Sequence, residues 1–210
     1  MLDILDNRNL IKGKKYEFRI KKNIPQEAGL GGGSINAASI ISFFIKRNLI
    51  KINNIEIKKI CDLIGSDVKL GIYNSNLVLN SKGNISVFKK KKKINILLVK
   101  PNFGCSTKLI YSKVKKYSKS IFNKPKSNIF DLNKLIKFKN DLEPIALNKY
   151  SKLMQVKTWL ENNTNSKFVR MTGSGSVIVG YYLSNKECEL AKKNIKKKFR
   201  NYWCMAAKTI

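Results

Sequence analysis

The densest chemical signal in the chain is the run Pro25-Gln26-Glu27-Ala28-Gly29-Leu30-Gly31-Gly32-Gly33-Ser34. Four glycines fall within the five positions 29–33. A backbone of that kind can approach an anion without Cβ obstruction and take positive φ where a turn needs it. Beyond the loop, Ala37, Ala38, Ile41, Phe44 and Ile45 recur at helical spacing. The predicted helix therefore turns its unpaired N–H groups and its positive dipole end toward whatever the loop holds. Ser34, at the helix start, can cap the helix or reach a phosphate or metal ion. Competing glycine motifs fit less well. No lysine follows Gly33, as a Walker loop requires. Ser34 stands where a dinucleotide fingerprint wants its third glycine, and no acidic residue closes the next strand. A protein-kinase loop lies on a hairpin, whereas a helix follows here. The segment reads as a phosphate-binding loop.

Three further constellations are ambiguous in isolation. Asp67, in Gly65-Ser66-Asp67-Val68, stands in a tight turn after a helix stop, where a carboxylate is often only a cap or turn-former. Thr107 and Tyr111 lie one turn apart after Pro101-Asn102-Phe103-Gly104; they could be an N-cap and a core aromatic, or a polar contact and a stacking platform. Met171-Thr172-Gly173-Ser174-Gly175-Ser176 could be a plain glycine turn between strands or a second anion contact.

The elements that must position these groups follow from periodicity. Lys15 to Lys21 alternates, with Tyr16, Phe18 and Ile20 on one face, and predicts a strand running into the loop. Two helices follow, one after the loop and fading near Asn48, the other from Asn54 with Gly65 as its stop. Short strands are expected at Leu77–Leu79 and Ile85–Phe88, and the lysine block Lys89 to Lys93 looks like a solvated hairpin tip and a domain boundary. The rest predicts a strand at Ile94–Val99, helix at Lys108–Lys116, and helical segments from Asp131 and over Asp141–Leu160. Strands at Phe168–Met171 and Val177–Tyr182, a helix at Asn185–Phe199 and a strand at Tyr202–Ala206 complete it. Without the middle helices the order is β-α-β-β-α-β, the split ferredoxin-like plan.

Composition bounds the function classes. Hydrophobic residues make up 43% of the 210, enough for one large core or two smaller ones. Lys and Arg number 43 against 13 Asp and Glu, a formal charge of +30. Lysine is spread over every segment and arginine is scarce, so biased composition accounts for the charge better than a nucleic-acid surface does. The opening Met1-Leu2-Asp3-Ile4-Leu5-Asp6 has no basic n-region, and no apolar run is long enough to span a membrane. Cys61, Cys105, Cys188 and Cys204 show no C-x-x-C spacing and His is absent. That excludes a recognisable zinc site or disulfide framework and suits a reducing cytoplasm.

Pro25 to Ala38, Pro-x-x-x-Gly-Leu-Gly-Gly-Gly-Ser-x-Asn-Ala-Ala, resembles the second signature motif of the GHMP kinases, and within them most resembles the 4-diphosphocytidyl-2-C-methyl-D-erythritol kinases. The resemblance implies an α+β, two-domain fold: a ribosomal protein S5-like amino-terminal domain, here partial (1–93), and a ferredoxin-like carboxyl-terminal domain (94–210). It implies ATP as co-substrate with Mg²⁺, bound by Pro25 to Ser34 and Ile35, with Lys22 lining the adenine pocket. Asp67 becomes the catalytic base for the 2-hydroxyl of a cytidine diphosphate-linked methylerythritol in isoprenoid biosynthesis. Thr107 and Tyr111 become cytidine contacts, and Gly173 and Ser174 belong to the third motif, which closes over the phosphates. Asn140-Asp141-Leu142-Glu143 also matches, with Asp141 and Glu143 read as helix-start residues. Lys69 stands where the family usually has Pro.

The resemblance begins at the family's second motif. The Pro-x-Lys-Leu-Asn-like and Gly-Tyr-His segments that precede it in relatives do not occur, so Met1 is expected to be an internal codon and this chain alone to have little kinase activity. Two other readings stay open: another GHMP kinase, acting on homoserine or a sugar, and a non-catalytic basic nucleotide- or nucleic-acid-binding remnant.

Overall fold

A computed structural model of the chain describes residues 1–89, 92–119 and 125–210. Lys90 and Lys91, at the centre of the expected hairpin tip, lie outside the described residues. The chain forms two compact units: Met1–Asn23 with Gly31–Val87, and Ile24–Leu30 with Phe88–Ile210. The sequence-expected boundary after residue 93 and this division at Val87–Phe88 lie on either side of Lys89. The short segment Ile24–Leu30 counts with the second unit.

In the first unit, a short helix α1 (Leu2–Asn7), which periodicity did not predict, buries Leu5. The loop then opens α2 (Gly32–Lys46), whose buried stripe is Ala38, Ile41 and Phe44. Helix α3 (Asn54–Ile64) is delimited by local chemistry. The Asn53 side chain accepts from the Ile55 and Glu56 amides, and the Glu56 carboxylate accepts from the Asn53 amide at 2.9 Å. Such a capping box contributes about 0.5–2 kcal/mol. Gly65 ends the helix as expected. A 3₁₀ turn (Val68–Ile72) follows, then the two-stranded sheet of β1 (Asn76–Leu79) and β2 (Ile85–Phe88).

Lys15–Lys21 is not a strand. Its alternation is real in packing: the Tyr16 and Phe18 rings meet Phe44 edge-on, with centroids at 4.8 and 5.7 Å. Alternation selects a face, but a strand also needs a hydrogen-bonded neighbour. Among the described residues none pairs with this segment.

The second unit is built on β3 (Asn95–Lys100), followed by α4 (Thr107–Ser112), a 3₁₀ turn (Ser127–Phe130) and a single helical turn α5 (Leu132–Leu135). Then come α6 (Glu143–Lys149), α7 (Ser151–Asn163), β4 (Phe168–Met171), β5 (Ile178–Tyr182), α8 (Asn185–Lys198) and β6 (Trp203–Lys208). The four strands lie in the order β4-β5-β3-β6, with all three pairings antiparallel. That is the expected ferredoxin-like arrangement.

Two expected helices are shorter than periodicity suggested. Helix α4 ends at Ser112 rather than Lys116. The long helix from Asp141 is broken at Tyr150, whose backbone leaves the helical region (φ −121°, ψ 89°) while its ring stacks on Phe103 at 5.4 Å.

The sheet is covered on both faces. Leu97 and Val99 point into the main core with Leu153, Val156, Leu160, Cys188 and Ile195 of α7 and α8. On the opposite face Leu98, Val177 and Val179 enclose Ala28, with Leu30 and Trp203 packed at the margin. The segment carrying the first half of the glycine loop is therefore seated on the face of the sheet opposite the helices.

Candidate active site

Gly31–Ser34 and Asp67 belong to the first unit. Gly31 adopts a left-handed conformation (φ 64°) as the N-cap of α2, and its carbonyl accepts from the Ile35 amide. A left-handed residue at this point is most easily supplied by glycine. Among the described residues no side chain caps α2, so its first amides are left to other acceptors. Among the described residues, Cβ atoms added at Gly32 or Gly33 would meet nothing within 4 Å. These two glycines border open space rather than protein. Ser34 sits in the first turn and Ile35 is 44% exposed.

Asp67 is exposed and opens the 3₁₀ turn, with the Ser66 hydroxyl 3.3 Å from its carboxylate. Two neighbours fix that turn: Val68 is buried, and Gly71 lies so close to α2 that a Cβ would come within 2.7 Å of Ala38 and 2.9 Å of Ile35. Asp67 is thus carried on a turn pressed against the first turns of the helix that the glycine loop opens. Lys69 turns away to pair with Asp62 at 3.0 Å. Lys22 is exposed in the irregular segment before the loop.

In the second unit, Glu27–Gly29 runs along the glycine turn. The Glu27 and Ala28 carbonyls accept from the Ser176 and Val177 amides, each at 3.2 Å. The Gly29 carbonyl accepts from the Thr172 hydroxyl at 3.1 Å. Gly29 itself has φ 68°, and a Cβ there would lie 2.3 Å from the Thr172 carbonyl oxygen. Two segments nearly 150 positions apart, each singled out by its glycines, are therefore interlocked through their backbones.

Thr107 and Ser174 also come together, hydroxyl to hydroxyl at 2.8 Å. The alternative that Thr107 caps its helix does not hold, because Ser106 supplies the cap by accepting from the Leu109 amide. Tyr111, 51% exposed, lines a cavity of about 450 Å³ with Tyr117, Lys139, Asn140, Asp141, Thr172 and Gly173. An aromatic face, a cation and a backbone turn in one concavity suit a planar base bearing an anionic group.

Asn140-Asp141-Leu142-Glu143 holds this cavity in shape. The Asn140 amide donates to the Met171 and Gly173 carbonyls at 2.9 and 2.8 Å, pinning the glycine turn. Asp141 does not cap a helix. Its carboxylate accepts from the Ser118 amide and hydroxyl at 2.7 and 2.5 Å, and those bonds hold its carboxyl below the usual value. Glu143 does open α6, and it also accepts from the Met171 amide at 3.1 Å.

Sequence reasoning missed Tyr117, Lys100 and the pinning role of Asn140. Tyr117 follows a lysine run and carries no periodic signal. For Asn140 the available signal was an amide side chain directly before a helix-starting acid. Lys100 was visible as a charge ending an otherwise apolar strand, Ile96-Leu97-Leu98-Val99. It is 5% exposed.

Among the described residues no helix is long and apolar enough to cross a membrane, and no group of three His, Cys, Asp or Glu could hold a metal ion. The four cysteines are free and buried.

A sequence profile described as the GHMP kinases N terminal domain matches residues 2–76. The 4-diphosphocytidyl-2-C-methyl-D-erythritol kinase of Pelagibacter ubique is 53% identical over 210 residues, which is 100% of this chain and 75% of that protein. The protein of the same name from Petrotoga mobilis is 33% identical over 189 residues, 86% of this chain and 70% of the relative. A crystal structure of 4-(cytidine 5'-diphospho)-2C-methyl-D-erythritol kinase matches with a TM-score of 0.72 at 21% identity, covering 89% of this chain and 68% of that one. Homoserine kinase from Cytophaga hutchinsonii matches with a TM-score of 0.64 at 15% identity, covering 90% and 68%. At such identities the structural likeness speaks to fold, and the fold is that of the GHMP kinases. Identity of 53% carried along all 210 residues shows more: this chain belongs to the 4-diphosphocytidyl-2-C-methyl-D-erythritol kinase family of the GHMP kinases.

Proposed function

We propose that the protein is an ATP-dependent kinase that phosphorylates the 2-hydroxyl of 4-diphosphocytidyl-2-C-methyl-D-erythritol in isoprenoid biosynthesis. The observation that carries this reading is the 53% identity to the Pelagibacter ubique kinase along the whole chain. The interlocked glycine segments and the Tyr111 cavity support it. In this reading residues 1–93 are the partial ATP-binding domain and 94–210 the second domain. The cell compartment is a reducing cytoplasm, in keeping with four free thiols.

Pro25 to Ile35 receive the nucleotide, with Lys22 beside the adenine. The amides at the start of α2 face the phosphates, where they stabilise charge spread over the transferring group. Asp67 takes the proton of the 2-hydroxyl as its oxygen bonds to the γ-phosphorus. The bond from that phosphorus to the β–γ bridging oxygen breaks, and ADP leaves. Thr107 and Tyr111 hold the cytidine portion, while Gly173 and Ser174 line the phosphate side. Mg²⁺ accompanying ATP would neutralise phosphate charge, and the Ser34 hydroxyl is the protein group that would reach it.

The test is a single-turnover incubation of excess protein with Mg-ATP and the acceptor, read by ³¹P NMR. A new phosphomonoester, formed slowly by this chain alone, is expected with this acceptor and none with homoserine or galactose. Asp67→Asn should slow its appearance by roughly 10²–10⁴-fold, the usual contribution of a placed base. Transfer to homoserine or galactose in preference, or an unchanged rate in Asp67→Asn, would overturn the reading.

A further inference from the structure

The described residues contain three buried polar or charged side chains, Lys100, Ser174 and Ser176. Ser174 and Ser176 belong to the glycine turn, and Lys100 shares the Phe103 carbonyl with Ser176. Ser174 already has a partner in Thr107. The other two form a chain that leads to the nucleotide loop.

Lys100 ends β3 on the face shared with Leu98, the face that carries Ala28. Its ammonium donates to the Phe103 carbonyl at 2.7 Å and to the Pro101 carbonyl at 3.2 Å, folding the segment after β3 back on itself. The Phe103 carbonyl also accepts from the Ser176 hydroxyl at 2.7 Å. Ser176 in turn contacts the Glu27 carbonyl through its amide at 3.2 Å and its hydroxyl at 3.4 Å. Glu27 has a left-handed backbone (φ 50°), and its side chain lies over Gly104, in space a Cβ would occupy. An unbroken path thus runs from the ammonium to the point where the loop turns.

Burying a lysine is unfavourable, and a methionine of similar length would fill the same volume without that cost. Burial pulls the Lys100 ammonium below its ordinary value, and the Glu27 charge opposes the fall.

We propose that Lys100 is a positioning residue for the ATP loop, fixing Glu27–Leu30 through the Phe103 carbonyl and Ser176. This rests on the reading of the loop as the nucleotide site. Lys100 itself touches neither nucleotide nor acceptor.

The experiment compares wild type with Lys100→Met, Ser176→Ala and the double variant. It reads urea unfolding, hydrogen exchange without ligand at the Ser176 and Val177 amides, which donate to the Glu27 and Ala28 carbonyls of the loop, and Mg-ATP affinity by calorimetry. In Lys100→Met, exchange at those amides and the Kd for Mg-ATP should each rise at least tenfold, at least an order of magnitude more than amides in α7. The double variant should fall well short of the product of the singles, because both act through one carbonyl. If Lys100→Met fails to fold, Ser176→Ala cuts the same path and the same two readouts decide. Exchange and affinity within twofold of wild type overturn the proposal, as does a loss spread evenly over the whole unit. If wild type does not bind Mg-ATP but exchange at those amides responds as stated, positioning stands and the nucleotide reading fails. If it binds and that exchange does not respond, positioning alone fails.

Discussion

Replacing Gly29 by alanine sets two penalties on one atom. The backbone there has φ 68°, a region that costs an L-residue roughly 1–2 kcal/mol. The new Cβ would also lie 2.3 Å from the Thr172 carbonyl oxygen and 2.9 Å from that of Gly175. Both are backbone atoms, so relief requires the loop or the turn to shift, at the roughly 1–3 kcal/mol typical of overpacking. Together the penalties come to roughly 2–5 kcal/mol. Lift-off of the loop from the sheet caps that figure at the energy with which Ala28 and Leu30 are docked. Gly32→Ala is the control, since its Cβ meets nothing within 4 Å and alanine is the better helix former by about 1 kcal/mol. Thermal unfolding by circular dichroism reads the difference. At roughly 2–4 °C per kcal/mol for a chain of this size, Gly29→Ala should lower Tm by roughly 4–20 °C. Gly32→Ala should leave it unchanged or slightly raised, yet weaken Mg-ATP binding by crowding open space at the helix start. A Gly29→Ala protein with wild-type Tm and wild-type exchange at the Ser176 and Val177 amides would refute the interlocking of loop and turn.

Three further outcomes follow from the same geometry. Asp141 is held below its ordinary pKa by Ser118, so its contribution to stability is fully present above about pH 3.9. That contribution is lost as pH falls through the lower folded value. Ser118→Ala should therefore lower the urea midpoint at neutral pH and flatten its acid limb, and identical profiles would contradict the tether. Burial pushes the Cys105, Cys188 and Cys204 thiols up to about 11. Native protein at pH 8 should react with Ellman's reagent at those positions only after denaturation. Tyr111→Ala should weaken CDP binding roughly 5- to 150-fold, the equivalent of about 1–3 kcal/mol of base stacking, with Tyr111→Phe close to wild type by calorimetry.

Local signals carried most of the element map. Helix α3 was legible because Ile57, Ile60, Cys61 and Ile64 form one stripe from Asn54 and Gly65 stops it; the capping box at Asn53 appeared only in the structure. Strands β4 and β5 were legible as short apolar runs on either side of a glycine turn. Where an outcome depended on a distant partner, the same kind of reasoning erred. Lys15–Lys21 alternates, but no neighbour pairs with it among the described residues. Helical periodicity runs through Tyr150, but the chain breaks there, where the ring stacks on Phe103.

The site divides along the same line. The glycine loop and the helix it opens were specified by residue type and spacing, because the backbone freedom of glycine and the dipole of a helix are local properties; Asp67 read only as a turn carboxylate until the family resemblance gave it a role. The tertiary structure alone decided that Thr107 faces Ser174 across 67 positions and that Glu27–Gly29 lies along Thr172–Val177. It also decided that a lysine at the end of an apolar strand would be buried against two carbonyls. Those pairings depend on which face of the sheet each segment covers. That is set by packing the whole core, a choice no window of sequence contains.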